Sequence, residues 1–163
     1  TVWYEHNGSI VNPELYNRYG YVTTSLDNHM HGCRDLKDLY DLTSNRLVEI
    51  LPDIMKLYDA GYTSCITADH GNVYSHAWRT LNAQEKAMLY TNESRGGRHL
   101  IFTKEEHLKY FFHENPGLTD DMYIRGNYAV WRTAKCFKGE NEVTHGGCHF
   151  LEMIVPFAKI EKK

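Results

Sequence analysis

The chain has 163 residues, a net charge of −3, and 42% hydrophobic against 24% charged residues, a balance that suits one ordinary soluble core or part of one. That charge gives no overall basic footprint for gripping a nucleic-acid backbone, and no apolar run is long enough to span a bilayer. No signal peptide opens the sequence. Thr1 is not an initiator Met and Val2-Trp3-Tyr4 reads as a strand already under way, so a piece of a longer chain is expected. Cys33, Cys65, Cys136 and Cys148 form no Cys-x-x-Cys pair, which argues against a zinc ribbon. Reduced thiols in a cytoplasmic protein are the expectation, although four cysteines suffice for two disulfides.

In chain order, Val2 to Glu5 is a strand candidate, followed by a loop through Asn7-Gly8 and Asn12-Pro13. Tyr21 to Leu26 mixes aromatic and β-branched residues and predicts a second strand ending at Asp27. From Leu36 to Tyr58 the apolar residues Leu36, Leu39, Tyr40, Leu47, Ile50, Leu51, Ile54 and Leu57 recur at helical spacing. Thr43 or Ser44 is a candidate cap for the second part of this helix, Pro52 should kink it and Gly61 should end it. Ser64 to Ala68 predicts a short buried strand that stops at Asp69-His70-Gly71. A short helix over 82–90, a strand over 98–103 and a helix over 104–112 follow. Residues 122–133 predict a strand or hairpin, residues 150–153 one helical turn, and residues 154–160 a closing strand. Alternating strands and helices predict an α/β domain on a mainly parallel sheet with flanking helices, with functional groups gathered at the carboxyl ends of the strands.

Three segments place His or Asp beside Gly at those expected strand ends. In Asp27-Asn28-His29-Met30-His31-Gly32, a carboxylate and an imidazole four residues apart can converge on one ion of the zinc or manganese kind. In Thr67-Ala68-Asp69-His70-Gly71, neighbouring side chains share a site only if the strand breaks, which Gly71 permits. In Thr144-His145-Gly146-Gly147-Cys148-His149, paired glycines let backbone pass close beneath an ion or anion. Each also has a plainer use: Asp-His-Gly as a turn with a hydrogen-bonded Asp, and His29 and His149 as surface or packing residues. Their occurrence together, in this order, points to a metal site. Arg95, Arg98 and Arg125 are candidate phosphate ligands against the alternative of salt bridges. Trp78, Trp131 and the tyrosines can stack on bases or simply pack.

The order Asp27 with His31, then Asp69 with His70, then His145 resembles the alkaline phosphatase superfamily. It is most similar to the PglZ domain of bacterial phage-defence (BREX) systems and some signalling proteins. The likeness rests on Asp27 to Gly32, on Ile66-Thr67-Ala68-Asp69-His70-Gly71-Asn72 and on Ser94-Arg95-Gly96-Gly97-Arg98. It rests most on His145-Gly146-Gly147-Cys148-His149-Phe150-Leu151-Glu152-Met153-Ile154-Val155-Pro156. It runs from about Tyr21 to Ile160 and is weakest over 73–90 and 111–141.

The resemblance implies the C-terminal half of an alkaline-phosphatase-like domain with two divalent ions, zinc or manganese. Asp27, His31 and His145 would hold one ion; Asp69 and His70 would supply part of the other site. A further Asp and a Ser or Thr nucleophile are expected upstream, and the hydroxyls of Thr23, Thr24, Ser25 and Thr67 are read as strand residues. The implied function is hydrolysis of a phosphate ester or phosphodiester, with a nucleotide or nucleic acid and other defence-complex proteins as partners. Two ions would activate the attacking oxygen and stabilise the leaving one. Isolated, the chain is expected to be inactive and to retain about one ion, since a stable site needs three or more protein ligands. The rival readings are a catalytically silent interaction module and a sulfatase or phosphomutase, which the missing segment would distinguish.

Overall fold

The computed structural model describes residues 1–90 and 97–162. Contacts divide the chain into two compact units, Thr1–Ala68 with Pro156–Lys163 and Asp69–Val155.

In the first unit, β1 (Val2–His6) pairs in parallel with β2 (Arg18–Val22), joined by a loop with a 3-10 turn at Pro13–Leu15. The chain then turns helical earlier than the β-branched run suggests. The Thr24 N–H donates to Asn7 Oδ1 at 2.7 Å and the Asn28 N–H to the Thr24 carbonyl at 2.9 Å, starting α1 (Ser25–Met30). Asp27 therefore stands on a helix, not at the end of a strand.

Helix α2 (Leu36–Asp59) is one continuous element that contains Pro52. Its cap is Asp35, whose side chain accepts the Asp38 N–H at 2.9 Å, and neither Thr43 nor Ser44 begins a new segment. Gly61, at φ 85°, ends it. The Gly61 N–H reaches the Tyr58 carbonyl and the Tyr62 N–H the Leu57 carbonyl, both at 3.0 Å, the paired closure that a left-handed residue makes possible. The last strands of this unit, β3 (Ser64–Thr67) and β10 (Phe157–Ile160), pair antiparallel. β3 alternates between half-buried and exposed residues, so it is not the buried strand its composition predicted.

The second unit is built on two small sheets. In one, β4 (Val73–Ala77) lies between β8 (Lys135–Cys136), parallel to it, and β9 (Glu142–Thr144), antiparallel. In the other, β5 (His99–Ile101), β7 (Tyr128–Trp131) and β6 (Met122–Arg125) are antiparallel throughout. The hairpin between β6 and β7 turns on Gly126, at φ 58°, and Asn127. Positive φ at the first turn residue suits Gly and gives the tight reversal that antiparallel neighbours need.

Helix α3 (Ala83–Ala87) is closed by a reciprocal cap: Asn82 Oδ1 accepts the Glu85 N–H and Glu85 Oε2 accepts the Asn82 N–H, both at 2.8 Å. Helix α4 (Glu105–Glu114) buries Leu108, Phe111 and Phe112, an i, i+3, i+4 stripe, in the core with Leu100, Phe102 and Trp131. Each such side chain contributes about 1.5–3 kcal/mol by leaving water. Trp131 is fully buried, with its ring 4.8 Å from Phe137, and Trp78 packs against both. These two tryptophans are packing residues.

The expectation of a mainly parallel sheet flanked by helices is thus corrected. Among the described residues the strands are two to five residues long and form four small sheets, two of them wholly antiparallel and one mixed. A parallel sheet needs a long crossover between successive strands; here several strands are joined by short turns or return from afar in the opposite direction. Of the five α-helices among the described residues only α2 exceeds ten residues. None of the described helices is long and apolar enough to cross a membrane.

Candidate metal centre

The sequence separates His70 from His145 by most of the second unit, and one strand pair brings them together. β4 begins three residues after His70, and β9 ends one residue before His145. Their antiparallel register sets Val73 opposite Thr144, so the segments just outside the ladder run side by side. The two imidazoles stack with ring centroids 3.9 Å apart and planes 17° from parallel. Ligand nitrogens of the two rings lie within 4.8 Å of each other. Two imidazoles on one tetrahedral ion, with bonds of about 2.0–2.1 Å, place their nitrogens roughly 3.3 Å apart.

The environment of His70 fixes which nitrogen can act. Nδ1 lies 3.1 Å from the Gly71 carbonyl oxygen. A carbonyl only accepts, so Nδ1 carries the hydrogen, and the lone pair of the neutral ring belongs to Nε2. A backbone carbonyl on one ring nitrogen is the usual device that orients a metal-binding histidine. Nε2 in turn lies 3.7 Å from Asp69 Oδ1. A proton on Nε2 or a cation shared with Asp69 would each satisfy this pairing. Two imidazoles are donors of the kind zinc or manganese accepts, and Asp69 lies beside one of them.

Helix α5 (Phe150–Met153) holds both segments. Its Glu152 carbonyl accepts the Gly71 N–H at 2.9 Å. The Glu152 carboxylate accepts the Gly147 N–H at 2.9 Å and the His149 N–H at 3.0 Å, and His149 caps the helix through Nδ1, which accepts the Leu151 N–H at 3.3 Å. The same carboxylate binds the fully buried Arg98, Nε at 3.0 Å and Nη2 at 2.5 Å. Burial alone would raise the Glu152 pKa; the hydrogen bonds from Arg98, Gly147 and His149 outweigh it and hold the carboxyl below its ordinary value.

Two glycines are required here by close approach. A Cβ on Gly71 would sit 2.0 Å from the Leu151 carbonyl oxygen and 2.8 Å from that of Ile154; one on Gly147 would sit 2.6 Å from Arg98 Nη2. Gly71→Ala should therefore destabilise the second unit by about 1–3 kcal/mol, the usual cost of overpacking. Thermal unfolding of the variant checks this, and an unchanged midpoint would show that the segment yields easily.

The structure places the other expected residues as follows. Asp69 is exposed and His70 and His145 are half-buried, all in the second unit. Asp27, half-buried, and His31, exposed, belong to the first unit, one helical turn apart on α1 and its end, the spacing that puts two side chains on one helix face. The resemblance places His70 and His145 on different ions; their rings are neighbours. Arg95 lies outside the described residues. Arg98 is buried and engaged by Glu152 and by the carbonyls of Thr133 and Lys135, the salt-bridge use rather than the phosphate-binding one. Gly147, the second glycine after His145, leaves room for this ion pair. Thr67 donates its hydroxyl to the Pro156 carbonyl at 2.9 Å, consistent with a strand residue.

Sequence reasoning missed β4 and the clamp role of Glu152. The alternation of Val73 and Ser75, both buried, with Tyr74 and His76 was a signal for the first. The spacing of His149 and Glu152, a capping pair before an apolar turn, was a signal for the second. A shallow concavity of about 500 Å³ lies elsewhere, on the β6–β7 hairpin, lined by Tyr123, Arg125, Asn127 and Tyr128 among others. It is lined by no imidazole or carboxylate.

Compared with protein-family profiles, with curated proteins and with solved structures, the chain matches none.

Proposed function

We propose that the chain is part of a metal-dependent phosphoric ester hydrolase of PglZ type, with His70 and His145 as ligands of a divalent ion. The observation that supports this most is the stacked His70–His145 pair beside Asp69, with His70 oriented through Nδ1 by a backbone carbonyl. A divalent ion held there would supply electrophilic stabilisation of a phosphoryl oxygen. His70 presents Nε2, His145 presents a ring nitrogen, and Asp69 offsets part of the positive charge. Two neutral imidazoles leave most of the ion's positive charge in place, which favours an anionic ester.

The resemblance adds Asp27 and His31 to the ligands, a second ion in the complete domain and a hydroxyl nucleophile upstream. It also suggests phosphodiesters or nucleotides as substrates and phage defence as the setting. These parts of the reading rest on the resemblance.

Titration of the chain with zinc or manganese tests the metal assignment, and hydrolysis of a model phosphodiester tests the reaction. The expected result is about one ion bound per chain, on the requirement for three or more protein ligands, with little or no turnover by the chain alone. Turnover in the full-length protein should be lost in Asp69→Ala. A full-length protein without turnover, whose fold and assembly tolerate Asp69→Ala, would instead favour the interaction-module reading.

A further inference from the structure

Glu152 has more bonds than an α-helical cap requires. Its carboxylate is almost wholly buried, with Oε1 accepting from Arg98 Nε and the Gly147 N–H and Oε2 accepting from Arg98 Nη2 and the His149 N–H. Two acceptances per oxygen use the full capacity of a carboxylate. The carbonyl of the same residue holds the Gly71 N–H. One residue thus hydrogen-bonds the backbone immediately after His70 and the backbone two residues after His145.

Stability alone is a poor reason for this arrangement. A buried ion pair gives back in attraction about what its desolvation costs, and an apolar pair of similar volume is often as stable or more so. What the pair supplies, and an apolar pair cannot, is direction: four charge-assisted hydrogen bonds at fixed angles. Supporting groups of this kind set the orientation of metal-binding histidines and alter affinity without touching the ion.

We propose that Glu152, locked by Arg98, is the positioning residue of the His70–His145 centre and sets its metal affinity by holding the two histidine-bearing segments in register. This rests on the metal reading above. Cobalt(II) is the probe, because its visible absorption reports ligand geometry as well as occupancy. The parent chain and Glu152→Gln are titrated side by side, with far-UV circular dichroism to establish folding.

A folded Glu152→Gln should bind cobalt about 10- to 100-fold more weakly, the effect typical of losing an outer hydrogen-bond partner, and with an altered spectrum. Glu152→Asp, which keeps the charge on a shorter arm, should fall between the two and decides the matter if Glu152→Gln does not fold. Unchanged affinity and spectrum in a folded variant would overturn the proposal while leaving the metal reading intact. If neither variant folds, Glu152 is a folding element and the proposal fails. A parent chain that ignores cobalt would sink the metal reading itself, and this inference with it.

Discussion

Arg98→Met should destabilise the second unit by about 3–5 kcal/mol, the cost of stranding a buried charge whose partner has been removed. The side chains of Arg98 and Glu152 are 0% and 2% exposed, so the abandoned carboxylate has no water to turn to. It would keep only the Gly147 and His149 N–H groups. Chemical denaturation followed by tryptophan fluorescence reads the loss, because Trp131 donates its indole N–H to the carbonyl of Gly97, the residue before Arg98. The double variant Arg98→Met with Glu152→Leu should recover part of the loss, since an apolar pair carries no desolvation penalty. An Arg98→Met variant as stable as the parent would mean that the pair is far wetter than its burial indicates.

The same pair gives an acid limit. The Glu152 carboxyl is held below its ordinary value in the folded state, so its contribution is complete above the unfolded value of about 4.3 and is lost as pH falls through the lower folded one. Glu85 behaves alike: the hydrogen bond from Arg79 lowers its pKa, against opposition from burial and with help from the Asn82 N–H. The contribution of these two ion pairs should therefore be level from neutral pH down to the mid-fours and decline below. Stability that rose with acid through that window would contradict both assignments.

His145→Ala has its largest expected effect on metal linkage rather than on the apo fold. His145 is half-buried and lies just beyond the end of β9, so its truncation leaves the ladder and the core in place. Zinc at one hundred times its dissociation constant should stabilise the parent by about 2.7 kcal/mol. In His145→Ala that gain should be absent, because loss of a ligand costs more than the about 10- to 100-fold attached to an outer partner. Denaturation with and without metal reads the difference. Equal metal-induced gains in parent and variant would remove His145 from the site.

Much of the local structure was legible in the sequence, and the connectivity was not. The Leu36–Tyr58 periodicity and Gly61 marked α2 and its end, and Phe150–Met153 is the single turn expected, because helix periodicity and glycine closures are written in neighbouring residues. Strand pairing depends on residues far apart. Nothing near Val73 announces Thr144 as its partner, and a strand's direction in a sheet leaves no local mark. The parallel sheet was inferred from alternation alone, and the antiparallel returns of β9 onto β4 and β10 onto β3 overturned it.

The site shows the same division. The candidate residues and their order were visible in the motifs, whereas the proximity of His70 and His145 follows from the β4–β9 register. For Arg98 the sequence leaves phosphate binding and a salt bridge both open, because an exposed and a buried arginine look alike in a sequence; the partner that decides it lies 54 residues on.

The claim on which the functional reading depends is that His70 and His145 hold one divalent ion together. Elemental analysis of the chain after exposure to zinc and exhaustive dialysis is its most direct test, with His70→Ala and His145→Ala carried alongside. The account predicts about one zinc per parent chain and next to none in either variant. A metal-free parent, or variants that retain as much zinc as the parent, would contradict it.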